Sequence, residues 1–381
     1  MVVEVCDSNE LACKAIWPST LQVAWDQLQL SGEQIRQLQK VIEATYVELG
    51  RSGQMAKKGV FSHNGATVPL PRTIVFLESG EALISLKDLP LIGKGGERVV
   101  KPVYGAVSGK MLAKKCVQDG SPELRILQHF YKHPQLGIVK TVGFYGHNVV
   151  QEKYSGNLHQ LMTSQRLLSS QTKINLCYQL LHGLTALHSL PLSSSPHNGL
   201  FHNDISTANI LFKEGDQIEV VIDDFGQAGK LGVPDGKDWY FSPEVAALKK
   251  QLAEGVVYSP QQLKDFNVTN GRQRDVWAMG LVLADIMKSG IVSRKGDCVG
   301  LTCVSNLVKK GAEGIHALPT KLKQEQIDRE IQSIQNSLPN TSSGEKKTWK
   351  MINQMLQINP THRISSKEAQ EMIKAIGCSK N

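Results

Sequence analysis

Two short polar segments, each walled by apolar residues, hold the side chains best suited to chemistry. The first is Phe201-His-Asn-Asp-Ile-Ser-Thr-Ala-Asn-Ile-Leu-Phe212, which carries Asp204 and Asn209. The second is Val220-Val-Ile-Asp-Asp-Phe-Gly226, a buried-type strand ending in two carboxylates and a glycine turn. Acids and an amide on adjacent loops supply the oxygen ligands that a hard cation such as magnesium takes. A magnesium nucleotide held this way suits phosphoryl transfer, which needs positioning and charge neutralisation more than covalent help. The plainer reading, polar turn residues at strand ends, fits either segment alone.

Upstream, Leu91-Ile-Gly-Lys-Gly-Gly-Glu-Arg-Val-Val100 offers Gly93 and Gly95, where backbone N–H groups can approach phosphate oxygens that a Cβ would obstruct. An ordinary hairpin turn has the same look. In Leu112-Ala-Lys-Lys115 a strand would put Ala113 and Lys115 on one face and Lys114 on the other. Ser121-Pro-Glu123 reads as a helix start, with Ser121 as N-cap, Pro122 at the first helical position and Glu123 favoured by the helix dipole.

The elements that must carry these residues change character along the chain. Ser31-Gly-Glu-Gln34 opens a helix with a capping-box pattern, Ile35, Leu38, Ile42, Tyr46 and Leu49 keep helical spacing, and Gly50 stops it. Residues 51–67 read as a linker. Residues 73–77 and 82–86 form a hairpin around Glu78-Ser-Gly-Glu81. From Leu91 to about Glu152 the pattern is strand-rich, and beyond it helical. Ile174, Cys177, Leu180, Leu181, Leu184, Leu187 and His188 make one long helix. Thr320 can cap another that carries Leu322, Ile327, Ile331, Ile334 and Leu338 and ends at Pro339. Residues 189–200 and 245–274 read as surface insertions. The class is α+β with two lobes.

The chain has 381 residues, 41% hydrophobic and 20% charged, as a globular protein does. A net charge of +8 could answer to nucleic acid or an anionic membrane. The basic residues are spread without a block, however, so a solvated surface plus a phosphate-handling site is expected, and no nucleic-acid partner. Seven irregularly spaced cysteines include no Cys-x-x-Cys pair, which gives a zinc site no support and implies reduced thiols in a cytoplasmic setting. Residues 1–10 hold acids and no base, unlike a Sec-type signal peptide. Apolar runs such as residues 278–284 are too short to span a membrane.

In their order these segments resemble the eukaryotic-type protein kinase family over roughly residues 88–376. The resemblance implies a bilobal fold: an N-terminal extension over 1–87, a small β-rich lobe over 88–152 and a large helical lobe over 153–381. It implies ATP with Mg²⁺ or Mn²⁺, a protein substrate and transfer to Ser or Thr. Asp204 would orient and deprotonate the substrate hydroxyl, and Asn209 and Asp224 would hold the metals. Gly93 and Gly95 would cover the phosphates, with Val100 and Ala113 beside adenine. Lys115 would reach the α and β phosphates, and Glu123, on a short helix, would pair with it. Residues 149–154, Glu152 among them, would form the hinge that receives adenine, with Gln151 guarding a back pocket. Tyr240-Phe-Ser-Pro-Glu244, Asp275-Val-Trp-Ala-Met-Gly280 and Asn359-Pro-Thr-His-Arg363-Ile match later family segments. They imply a buried Glu244–Arg363 pair and an Asp275 brace under the catalytic loop.

The sequence also departs from the family. Arg98 replaces the third glycine, Asn203 the Arg before the catalytic Asp, and Ser206 the usual Lys, while Lys237 could restore that missing charge. Between Gln227 and Phe241 the one hydroxyl residue is Tyr240, so activity without activation-loop phosphorylation is expected. Competing readings are a pseudokinase scaffold and a small-molecule phosphotransferase of the aminoglycoside or choline type. The Asn203 variant also occurs in some secreted effector kinases of bacteria, which would place the site of action in another cell's cytoplasm.

Overall fold

A computed structural model describes residues 60–63, 66–69, 71–77, 79, 81–86, 91–94, 99–105, 108, 110–164, 167–192, 195–234, 240–288, 324–337 and 342–378. The helix expected over residues 31–49, the cap at Thr320, and Gly95, Arg98 and Lys237 lie outside them. The described residues fall into two compact units: those up to Lys132 together with Lys140–Lys153, and His133–Val139 together with Tyr154 onward.

In the first unit, β1 (Val60–His63) and β2 (Ala66–Pro69) pair as a separate hairpin. The main sheet contains β3 (Pro71–Phe76), β4 (Ala82–Leu86), β5 (Gly93–Lys94), β6 (Val99–Gly105), β7 (Lys110–Cys116), β8 (Thr141–Tyr145) and β9 (Asn148–Glu152). Its order is β3-β4-β6-β7-β9-β8, with β5 beside β6. The β3–β4 hairpin, which the sequence reading set inside an N-terminal extension, is bonded through β4 to β6, with Leu83 opposite Gly105 and Ile84 opposite Tyr104. A two-stranded hairpin cannot cover an apolar face by itself. Val75, Leu77 and Leu83 of this one share a buried cluster with Val103, Leu112, Tyr145 and Val150. Each such side chain contributes about 1.5–3 kcal/mol when fully buried. Helix α1 (Pro122–Lys132) packs on β8, and the Ser121 hydroxyl accepts from the Leu124 N–H at 3.2 Å, the cap its sequence predicts.

The second unit starts with the stretch after α1, where the Val139 N–H donates to the Ile222 carbonyl and the Ile222 N–H to the Gly137 carbonyl. Its elements are β10 (Gly156–Asn157), α2 (Leu158–Thr163), α3 (Ser170–His188), β11 (Pro191–Leu192), β12 (Ser195–Gly199), β13 (Ile210–Lys213), β14 (Glu219–Ile222), α4 (Pro243–Ala253), α5 (Pro260–Lys288), α6 (Gln324–Ser337), α7 (Ser343–Met355) and α8 (Ser366–Cys378). The apolar stripe of α3 is fully buried, and α5, α8 and β14 pack on that helix. Its Gln179 side chain donates to the Ile218 carbonyl and accepts from the Val220 N–H, which pins β14 to it. Within 189–200, β11 and β12 pair antiparallel, with Pro191 opposite Gly199 and Leu192 opposite Ser195.

The stretch 245–274 is not a surface insertion. Its second half is the beginning of α5, which runs unbroken from Pro260 through Asp275, and Asn267, Gly271 and Arg274 are buried. Ser259 and Gln262 cap it reciprocally at 3.2 and 2.8 Å. No described helix is long and apolar enough to cross a membrane.

Candidate active site

In the small lobe, strand register collects four of the expected residues on one face. Gly93 lies opposite Val100, Val100 opposite Lys115, and Ala113 is two positions from Lys115 on β7. Opposed residues of antiparallel strands share a face, as do i and i+2. Lys115 Nζ is 3.2 Å from Glu123 Oε1, and both side chains are buried. Lys114 points away, its Nζ 5.6 Å from the Tyr145 ring centre. Glu123 therefore fills both readings, first-turn acid of a capped helix and partner of Lys115. Buried Gln151 stands opposite Ala113. Glu152 is opposite Leu112, on the other face; its side chain pairs with Lys140 at 3.0 Å and its N–H donates to the Lys140 carbonyl. What Glu152 can offer adenine is confined to the main chain.

In the large lobe, pairing of Ile210 with Ile222 brings the start of β13 and the end of β14 together. The Asp223 N–H donates to the Asn209 carbonyl at 2.9 Å, tying the two polar loops side by side. Asn209 Nδ2 donates to the Asp204 carbonyl at 2.8 Å and to its carboxylate Oδ2 at 2.7 Å. Asp224 takes a left-handed backbone, with φ of 61°, and accepts from the Gly226 N–H. Buried Phe225 anchors that turn, its ring 5.3 Å from the His202 ring. His202 Nδ1 accepts from the Asp204 N–H at 3.3 Å, so the proton sits on Nε2 and is donated to the Asp223 carbonyl at 3.1 Å.

Asp275 supports this loop from below. Its carboxylate accepts from the His202 and Asn203 N–H groups at 2.5 and 2.9 Å and from His188 Nε2 at 3.1 Å. Burial alone would raise its pKa, but these hydrogen bonds and the neighbouring imidazoles hold it below the usual carboxylate range. Glu244 and Arg363 form a two-pronged pair at 2.6 and 2.7 Å, with the guanidinium over the Trp277 ring.

The donors fit a divalent cation. With its amide nitrogen committed to Asp204, Asn209 has its oxygen left to give, and the exposed Asp224 adds a carboxylate. Among the described residues no group of three or more His, Cys, Asp or Glu is gathered, so waters and phosphate oxygens would complete the shell, as magnesium prefers.

The sequence pattern of the protein kinase domain matches residues 86–373. The chain belongs to the protein kinase family. As a kinase it is similar to mouse dual specificity testis-specific protein kinase 2, at 27% identity over 54% of this chain and 35% of that one. It is 25% identical to serine/threonine-protein kinase RAD53 of Saccharomyces cerevisiae, over 65% of this chain and 30% of that one. Cyclin-dependent kinase 11 of Dictyostelium discoideum matches at 23% over 74% and 78%. The kinase chain spans about a third of the length of the first of these relatives. The family uses ATP and a divalent metal.

Three features of this kinase domain escaped the sequence reading. His188 appeared only as the last member of an apolar stripe. Thr207 bonds the Tyr240 phenol at 3.0 Å, although nothing in its spacing marks it. A cleft of about 340 Å³, counting its open mouth, runs beside Asp204 between Pro234, Tyr240, Phe241 and Val245.

Proposed function

We propose that this protein transfers the γ-phosphate of ATP to Ser or Thr hydroxyls of protein substrates, and that it does so without phosphate on its own activation segment. The observation that carries the proposal is the Asn209 Nδ2 grip on the Asp204 carboxylate, within a loop bonded to the one bearing Asp224. It orients an acceptor for the substrate hydroxyl's proton next to two oxygen donors for a cation. When bound, that cation neutralises the phosphate charge that would otherwise repel the incoming oxygen. Lys115, held by Glu123, serves the α and β phosphates. Among the described residues, no atom beyond its chain neighbours lies within 4 Å of a Cβ built on Gly93, so packing there does not ask for glycine, whereas close passage of phosphate would. Relatives named as serine/threonine or dual specificity kinases favour hydroxyls of Ser and Thr.

Tyr240 argues against activation by phosphate. Its phenol is half-buried, bonded to Thr207, and pushed up to about 12 by desolvation and by the charge of Asp285. A phosphate there would have to break that seat. The test is to treat the protein with a phosphatase, supply labelled Mg-ATP and a mixed-sequence protein acceptor, and hydrolyse the product in acid. Label on Ser or Thr, undiminished by the phosphatase, is expected. Label on Tyr alone, on a small-molecule acceptor alone, or only before dephosphorylation would overturn the proposal.

A further inference from the structure

Asn203 stands where many kinases hold the Arg that grips a phosphorylated activation segment, and its surroundings show what replaces that grip. Its backbone is left-handed, with φ of 71°, a conformation asparagine tolerates better than most residues. Its Nδ2 donates to the Gln227 and Lys230 carbonyls at 2.9 and 3.2 Å, and its Oδ1 accepts from Arg274 Nη2. Arg274 Nη1 donates to Asn267 Oδ1 at 2.8 Å. Asn267 Nδ2 in turn donates to the Leu231 and Gly232 carbonyls at 2.9 and 2.8 Å and to the Leu263 carbonyl of its own helix at 2.6 Å. Because an arginine only donates, it fixes both amide orientations: each oxygen faces Arg274, and each nitrogen faces the segment.

The bed of this network is one face of α5. Asn267, Gly271 and Arg274 are spaced to lie together on the helix. A Cβ on Gly271 would sit 2.3 Å from the Phe201 ring, and Arg274 lies 5.5 Å from the centre of that ring. Burial pushes Arg274 down to about 10, with Asp275 and Glu244 opposing, so the guanidinium keeps its charge near neutrality. The Phe201 carbonyl adds a further tie by accepting from the Gly229 N–H at 2.9 Å.

We propose that Arg274 and Asn267 are positioning residues for phosphotransfer, which with Asn203 lock residues 227–232 to the catalytic loop without phosphate. The proposal rests on the kinase reading above. It deepens that reading by naming what replaces the phosphate: two carboxamides donating to four backbone carbonyls of the segment, oriented by one buried cation.

The test uses Asn203→Asp and Asn267→Asp in the full chain. Each keeps the oxygen that Arg274 needs, and pairs that cation better, while removing the donor to the segment. The melting temperature is expected to hold or to fall by a few degrees, because the stronger pair with Arg274 is offset by a carboxylate oxygen left facing backbone carbonyls. Turnover is expected to fall about ten- to a hundred-fold, the scale of catalytic geometry lost to small displacements, with KM for ATP little changed. Amide hydrogen exchange over residues 227–233 is expected to quicken. Wild-type turnover in both variants, or turnover falling only in step with the folded fraction, would overturn the lock. If an acid variant does not fold, Asn203→Ser and Asn267→Ser carry the same comparison. If the wild type itself transfers no phosphate, the kinase reading fails, and exchange over 227–233 still decides the lock: unchanged exchange in the variants refutes it.

Discussion

At Lys115 the alternation of a strand decides which of two adjacent lysines meets Glu123, and the proposed function gives that lysine the nucleotide. Lys115→Met is expected to cut transfer about a hundred-fold or more, as loss of one preorganised electrostatic group does. Lys114→Met, whose ammonium rests on Tyr145, is expected to stay within about two-fold of wild type, since that contact is worth little beyond about 1 kcal/mol. Equal losses in a steady-state comparison would put the lysine assignment in error. Asp275 gives a pH signature. Its native pKa lies below the usual 3.8, so its stabilisation is complete above about pH 4 and is lost as pH falls through the native value. Asp275→Asn is expected to lower stability at neutral pH and to flatten the acid limb of a melting-temperature profile. An acid limb unchanged by the substitution would show that the brace is not what titrates.

Among the elements, α5 does the most to hold the large lobe's site, and it was the least legible. Asp275-Val-Trp-Ala-Met-Gly280 is legible through its match to a family segment, but the polar residues before it read as a surface insertion rather than as part of the same helix. The signals to the contrary were present: Ser259-Pro-Gln-Gln262 is a capping box, and Asn267, Gly271 and Arg274 keep helical spacing. They were hidden because the face is polar, and a polar face usually meets water; this one meets the catalytic loop. By contrast, β7 and α1 were readable, because alternation and a Ser-Pro-Glu start are local properties. The β3–β4 hairpin was legible as a hairpin, but its membership of the main sheet depends on pairing with β6, which no local pattern records. Residues 189–200 were recognised as extra without their strand pairing being foreseen. At the Glu244–Arg363 pair, Glu244→Ala is expected to cost about 3–5 kcal/mol in urea unfolding, because it strands a buried guanidinium. A cost below about 1 kcal/mol would class the pair with exposed ones.

For the whole molecule, the order of motifs along the chain carries more than any single motif, and it is this order that placed the chain in its family. Each lobe holds its own part of the proposed machinery: an anchored lysine in one, and an oriented aspartate with oxygen donors in the other. Mg-ATP at a hundred times its dissociation constant is expected to stabilise the fold by about 2.7 kcal/mol. In a thermal melt Asp224→Asn is expected to shrink that shift with magnesium present and to leave the shift by ATP alone unchanged. A shift indifferent to magnesium in the wild type would contradict the assigned cation donors. The central claim, that Asp204 serves phosphotransfer to a protein hydroxyl, is tested most directly by single-turnover transfer from Mg-ATP, comparing phosphatase-treated wild type with Asp204→Asn. The account predicts transfer by the wild type and a loss of about 10²- to 10⁴-fold in the variant, with the melting temperature held. Transfer at the same rate by both proteins would contradict it.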